Sequence, residues 1–129
     1  MIYLDSSVII AQLLAEDRRP PEELWSGSLT SSSLLEYEVW TRVHARRMGG
    51  RLGDVLRLLL ARFSLLRLER PVLARALEPL PLPVRTLDAI HLASADFLRS
   101  QGQEVTVATY DARMAEAARA MGFELYPLE

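Results

Sequence analysis

Short apolar runs alternate along this chain with longer stretches of helical periodicity, and this alternation restricts the fold more than any other feature. Residues 2–5 read as a buried strand and 7–16 as a helix carrying Val8, Ile9, Leu13 and Leu14. Prolines 20 and 21 break the chain, and Pro21-Glu22-Glu23 starts a new helical turn. A short strand is expected at 28–31, a long helix at 33–48 closed by Gly49-Gly50, and another helix at 52–63. Then come a strand at 65–68, a short helix at 71–78 and a proline alternation at 79–83 that excludes regular helix. The rest reads as a helix at 86–101, a strand at 104–109, a helix at 111–121 and an edge strand at 123–126. Strands separated by helices imply a parallel sheet covered on both faces.

A chain of 129 residues, 50% hydrophobic, is expected to form one domain, 1–129, with a substantial core. It has no cysteine, which excludes a disulfide framework, a thiolate metal site and a thiol nucleophile. The first residues lack the basic stretch of a signal peptide, and Asp5 interrupts the apolar run at once. No apolar run approaches the ~20 residues that span a bilayer. A cytoplasmic protein without a membrane partner is expected.

Four acids stand where the pattern gives no structural need for four charges. Asp5 ends the first strand, Glu38 lies in an otherwise apolar helix, Asp88 opens the most apolar helix, and Asp111 follows the last strong strand. In open parallel sheets, ligands bind outside the carboxyl ends of the strands, where Asp5 and Asp111 fall. Gathered there, the acids form an oxygen-only pocket suited to Mg²⁺ or Mn²⁺. Each acid also has a plainer explanation. Asp5 can cap the helix that follows, although serine would serve and an anion at the end of a buried strand is costlier. Asp111 stands at an N-cap position and can cap and ligate at once. Asp88 sits two residues after Thr86, the expected N-cap, where the helix dipole favours an acid. Glu38 can pair with Arg42 one turn on, and Glu36, about 160° around the helix, is an alternative acid for the pocket.

Net charge is −2, yet between residues 39 and 68 the charged residues are Arg42, Arg46, Arg47, Arg51, Arg57, Arg62 and Arg67 against Asp54 alone. A basic stretch beside an acidic pocket suits a nucleic-acid backbone. Arg42 and Arg46, one and two turns beyond Glu38, are the candidate substrate contacts. His91 reads as a packed, hydrogen-bonded side chain rather than a base, and His44 as surface.

Four segments together resemble the PIN domain, and in particular VapC-type ribonuclease toxins. They are Asp5-Ser6-Ser7, Ser32-Ser33-Leu34-Leu35 leading to Glu38, Leu87-Asp88-Ala89-Ile90-His91-Leu92-Ala93, and Ala108-Thr109-Tyr110-Asp111. Their order and spacing match over essentially the whole chain, and the run around Asp88 is the most specific. The resemblance implies a three-layer α/β/α fold with a central parallel sheet of four or five strands. It implies metal-dependent cleavage of RNA, leaving 5′-phosphate and 3′-hydroxyl ends. Asp5, Glu38, Asp88 and Asp111 become the catalytic acids, with Asp5, Asp88 and Asp111 on Mg²⁺ or Mn²⁺. Ser6 and Thr109 fall at small hydroxyl positions beside the pocket. A cognate antitoxin that fills the pocket, a type II toxin–antitoxin pairing and a homodimer are implied partners.

Other readings carry less. Haloacid-dehalogenase-like phosphatases need a second Asp two residues after the first, where Ser7 stands, and a receiver domain needs a lysine that this chain lacks. An RNA-processing nuclease without an antitoxin, or a binding module with an idle pocket, remain the alternatives.

Overall fold

The computed structural model describes residues 1–14 and 17–128. Strand β1 (Ile2–Leu4) runs parallel to β2 (Leu29–Ser32) on one side and to β4 (Thr106–Ala108) on the other. Strand β3 (Phe63–Leu66) extends the sheet beyond β2, and β5 (Glu124–Leu125) extends it beyond β4. The order is β3-β2-β1-β4-β5, the five-stranded parallel sheet that the strand–helix alternation predicts.

Successive side chains of a strand point to opposite faces, so the two central strands, β1 and β4, feed two cores. Ile2 and Leu4 pack with Val8, Leu35, Val39 and Leu56, whereas Tyr3 packs with Leu92, Val107, Met114 and Phe123. Helices α1 (Ser6–Leu13), α2 (Leu34–Ala45) and α3 (Gly49–Leu60) build the first core; α5 (Thr86–Ser100) and α6 (Ala112–Ala120) build the second. The three layers are therefore helices, sheet, helices. Helix α4 (Arg70–Ala76) packs on α5, joined by Arg75 and Asp96 at 2.8 Å.

Strand β2 is buried along its whole length although it reads Leu-Thr-Ser-Ser. Its hydroxyls are satisfied: Thr30 donates to the Ser64 carbonyl and Ser31 to the Leu4 carbonyl, each at 2.7 Å, and Ser32 accepts from the Leu34 amide at 3.3 Å. Buried polar groups persist only when paired in this way.

Several boundaries differ from the sequence reading. Helix α1 ends at Leu13 with Leu14 as its cap; the expected end at residue 16 lies outside the described residues. Residues 22–26 form a 3₁₀ turn, not an α-helix. The long helix stops at Ala45 rather than 48, and Gly49-Gly50, expected to close it, opens α3 instead. The reversal is made by Arg47, whose φ of 54° is left-handed. The Arg47 amide bonds the His44 carbonyl at 2.9 Å, and the Met48 amide bonds the Val43 carbonyl at 3.0 Å. That pair of bonds is the Schellman helix stop, usually built on glycine. At Gly49 a Cβ would sit 3.0 Å from the His44 ring, a tight contact that the exposed ring would have to shift to relieve. Thr86 is the first residue of α5, with Arg85 at the cap, so Thr86 is not the expected N-cap. Among the described residues no helix is long and apolar enough to cross a membrane.

Candidate active site

From β1 the chain winds outward to β2 and β3, then crosses back and continues outward through β4 and β5 on the other side. The winding direction changes between β1 and β4, which opens a crevice at their carboxyl ends. Asp5 follows β1 directly, and Asp111 follows β4 by three residues. A cavity of about 470 Å³ lies there, lined by Asp5, Glu38, Asp88 and Asp111 together with Ser6, Arg42, Arg85 and His91. Acids from four separate segments therefore face one space.

Asp5 is 5% exposed and fixed by three hydrogen bonds. Its Oδ1 accepts from the Ser7 amide at 3.1 Å and the Ser7 hydroxyl at 2.5 Å; its Oδ2 accepts from the Thr109 hydroxyl at 2.6 Å. Thr109 in turn accepts from the Asp111 amide at 3.0 Å, so one hydroxyl links the loops after β1 and β4. Burial is the largest influence on the Asp5 carboxyl and pushes it above its usual 3.8; the Ser7 and Thr109 hydroxyls and His91 oppose it, and Asp111 reinforces it.

Glu38 is held from α5. His91 Nε2 lies 2.6 Å from Glu38 Oε1, and His91 Nδ1 lies 2.8 Å from the Tyr3 hydroxyl, so both ring nitrogens are engaged. Burial alone would push the imidazolium down. The Tyr3 oxygen and the Glu38 carboxylate outweigh it and push His91 from 6.5 up to about 10.

Asp88 and Asp111 share one cation. Arg85 Nε donates to Asp88 Oδ2 at 3.2 Å, and Arg85 Nη2 donates to Asp111 Oδ2 at 3.0 Å. Asp111 also caps α6, with Oδ1 accepting from the Arg113 and Met114 amides at 2.9 and 3.2 Å. It thus plays the cap role that its position suggests and still presents its other oxygen to the cavity.

The remaining sequence candidates divide. Arg42 lines the cavity, and Arg46, which caps the end of α2, does not. Glu38 faces the cavity and Glu36 does not. Ser6 lines it, but the hydroxyl that binds Asp5 is that of Ser7. The sequence reading missed Ser7, Tyr3 and Arg85. Ser7 stands two residues after Asp5, the spacing of an Asx turn, and Arg85 stands three before Asp88; both spacings were available as signals.

The donor set fits a hard divalent cation: it is all carboxylate and hydroxyl oxygen, without sulfur. Asp5 in particular is a buried acid held by hydroxyl and amide donors. Among the described residues, no three acid or histidine side chains stand together closely enough to ligate a single ion. Asp88 and Asp111 point instead to Arg85, and Glu38 to His91.

Known proteins match this chain along nearly its whole length. A family model described as the PIN domain matches residues 2–120. Ribonuclease VapC46 of Mycobacterium tuberculosis (strain ATCC 25618 / H37Rv) is 36% identical over 130 residues, covering 94% of this chain and 92% of the relative. Ribonuclease VapC47 of Mycobacterium tuberculosis (strain CDC 1551 / Oshkosh) is 33% identical over 133 residues, covering 95% and 93%.

Proposed function

The chain belongs to the PIN domain family, and on that premise we propose that it is a Mg²⁺- or Mn²⁺-dependent ribonuclease and the toxin of a toxin–antitoxin pair. The observation that carries this reading is the arrival of Asp5, Glu38, Asp88 and Asp111 at one cavity at the β1/β4 switch point. The names of the two relatives support RNA as the substrate.

Asp5, Asp88 and Asp111 are the carboxylates that would hold the ion. When bound, it supplies Lewis-acid charge stabilisation at the phosphoryl oxygens and acidifies water. The side chains do the rest. Ser7 and Thr109 fix the orientation of Asp5, so that no reorganisation is needed during the reaction. His91 pins Glu38, which leaves that carboxylate positioned to orient or accept a proton from attacking water. Arg42, on the same face one turn beyond Glu38, would meet a backbone phosphate of the RNA, with Arg46 behind it. Hydrolysis in this sense leaves 5′-phosphate and 3′-hydroxyl ends.

A second surface suits a protein partner. An apolar groove of about 350 Å³ between α1 and α3 is lined by Leu13, Trp25, Leu52 and Leu59, with Val55 and Leu58 exposed beside it. Homodimer formation is assigned to this helical face, and the antitoxin of the pair would fill the acid pocket itself.

The test is cleavage of a mixed RNA pool by purified protein with Mg²⁺ or Mn²⁺, with EDTA, and by the Asp5→Asn variant. Metal-dependent cutting that disappears in the variant is expected. Cutting that persists in EDTA, or in folded Asp5→Asn, would overturn the assignment.

A further inference from the structure

Three of the four pocket acids are paired with cations of very different exposure. Glu38 pairs with His91, which is 2% exposed and bonded through both ring nitrogens. Asp88 and Asp111 pair with Arg85, whose side chain is 67% exposed. Arg85 precedes α5 on extended backbone and bridges the first turn of that helix to the cap of α6. Of these two counter-ions, His91 is locked into the core and Arg85 reaches in from solvent.

We propose that Arg85 is the exchangeable counter-ion of this pocket: it bridges Asp88 and Asp111 when no divalent ion is bound, and it is released when one binds. The inference rests on the metal-dependent reading above. Its physical basis is direct. A divalent ion held by Asp88 and Asp111 would lie within a few ångströms of a guanidinium bonded to the same carboxylates, and like charges at that range repel. His91 is enclosed and cannot yield, whereas Arg85 can swing into water at little cost because exposed ion pairs are weak. Arg85 therefore acts through Asp88 and Asp111 as a positioning residue, and it lowers the affinity of the pocket for metal.

Calorimetric titration of the full chain with Mn²⁺ tests this in wild type, Arg85→Gln and Asp5→Asn, each checked for folding by circular dichroism. Arg85→Gln is expected to bind Mn²⁺ about fivefold more tightly than wild type, the release of a weak surface pair, and Asp5→Asn to lose binding. In a parallel titration with Mg²⁺, the side-chain Nε–H resonance of Arg85, identified by its absence in Arg85→Gln, should shift as the site fills. Unchanged or weaker binding by Arg85→Gln, while Asp5→Asn still loses the ion, would overturn the role of Arg85 and leave the metal site standing. No binding by wild type and Arg85→Gln alike would remove both.

Discussion

His91 and Glu38, 53 positions apart in the sequence, meet at 2.6 Å and tie α5 to α2 across the acid pocket. Substituting His91 removes the partner of a largely buried carboxylate and of the Tyr3 hydroxyl together. His91→Phe should cost about 2 kcal/mol in urea unfolding, the scale of a lost hydrogen bond to a charged group. His91→Gln, which can still donate to Glu38, should cost less. Equal losses in the two variants would mean that His91 matters through its volume and not through its bonds.

The same pair makes a pH prediction. The folded protein holds the His91 proton more tightly than the unfolded chain, with a value raised from 6.5 to about 10. Stability from this source is therefore complete below pH 6.5 and is lost as pH climbs through about 10. The stability difference between wild type and His91→Gln should be largest near about pH 6 and shrink toward about pH 10. A difference that grows with pH would reverse the sign and refute the pairing.

Asp5 works in the opposite sense. Burial raises its carboxyl, so the ionised form is a load on the metal-free fold. Asp5→Asn should abolish cleavage and yet raise the melting temperature of metal-free protein, by about 1 kcal/mol or roughly 4 °C. A lower melting temperature would show that the Ser7 and Thr109 hydroxyls more than compensate for the charge.

Acid sensitivity should arise away from the pocket. Burial tends to raise Asp96, but hydrogen bonds from Arg75 at 2.8 Å and Arg99 at 2.7 Å outweigh it and hold the carboxyl below its usual 3.8. The stabilisation is present above that unfolded value and disappears as pH falls through the lower folded one. Asp96→Asn should cost about 1 kcal/mol at neutral pH, with the difference from wild type fading in acid. Urea unfolding at neutral and acid pH would measure both.

Arg47 offers a gain. It occupies the left-handed position of the α2–α3 stop without being glycine. Arg47→Gly should stabilise the protein by about 0.5–1 kcal/mol, since only glycine enters that region without strain. Destabilisation would mean that the Arg47 side chain makes contacts worth more than the strain it brings.

The parallel sheet and the four acids were legible because both depend on local pattern: β-period runs ending in an acid, and an acid set into an otherwise apolar helix. Less legible were features that depend on which distant segments meet. His91 reads from its apolar helix as a packed, bonded side chain, and so it is, but its partners Tyr3 and Glu38 lie 88 and 53 positions away. Arg85 looks like half of a surface pair with Asp88, and its bond to Asp111 depends on α5 and α6 starting side by side. Ser6 and Ser7 are adjacent and chemically identical, so only the direction of the first helical turn separates them. Gly49-Gly50 suggests a stop, but Gly49, which approaches the His44 ring closely, lies at the start of the following helix.

The middle of the sheet pairs the first strand with the fourth, Ile2 against Thr106 and Leu4 against Ala108. During synthesis β1 soon gains β2 beside it but must wait for more than a hundred residues before β4 exists, and Asp5 has neither its Thr109 donor nor Asp111 opposite until then. A nascent or prematurely terminated chain therefore carries no finished pocket. Chemistry at these acids stays switched off, by connectivity alone, until the segment that carries Thr109 and Asp111 has been made.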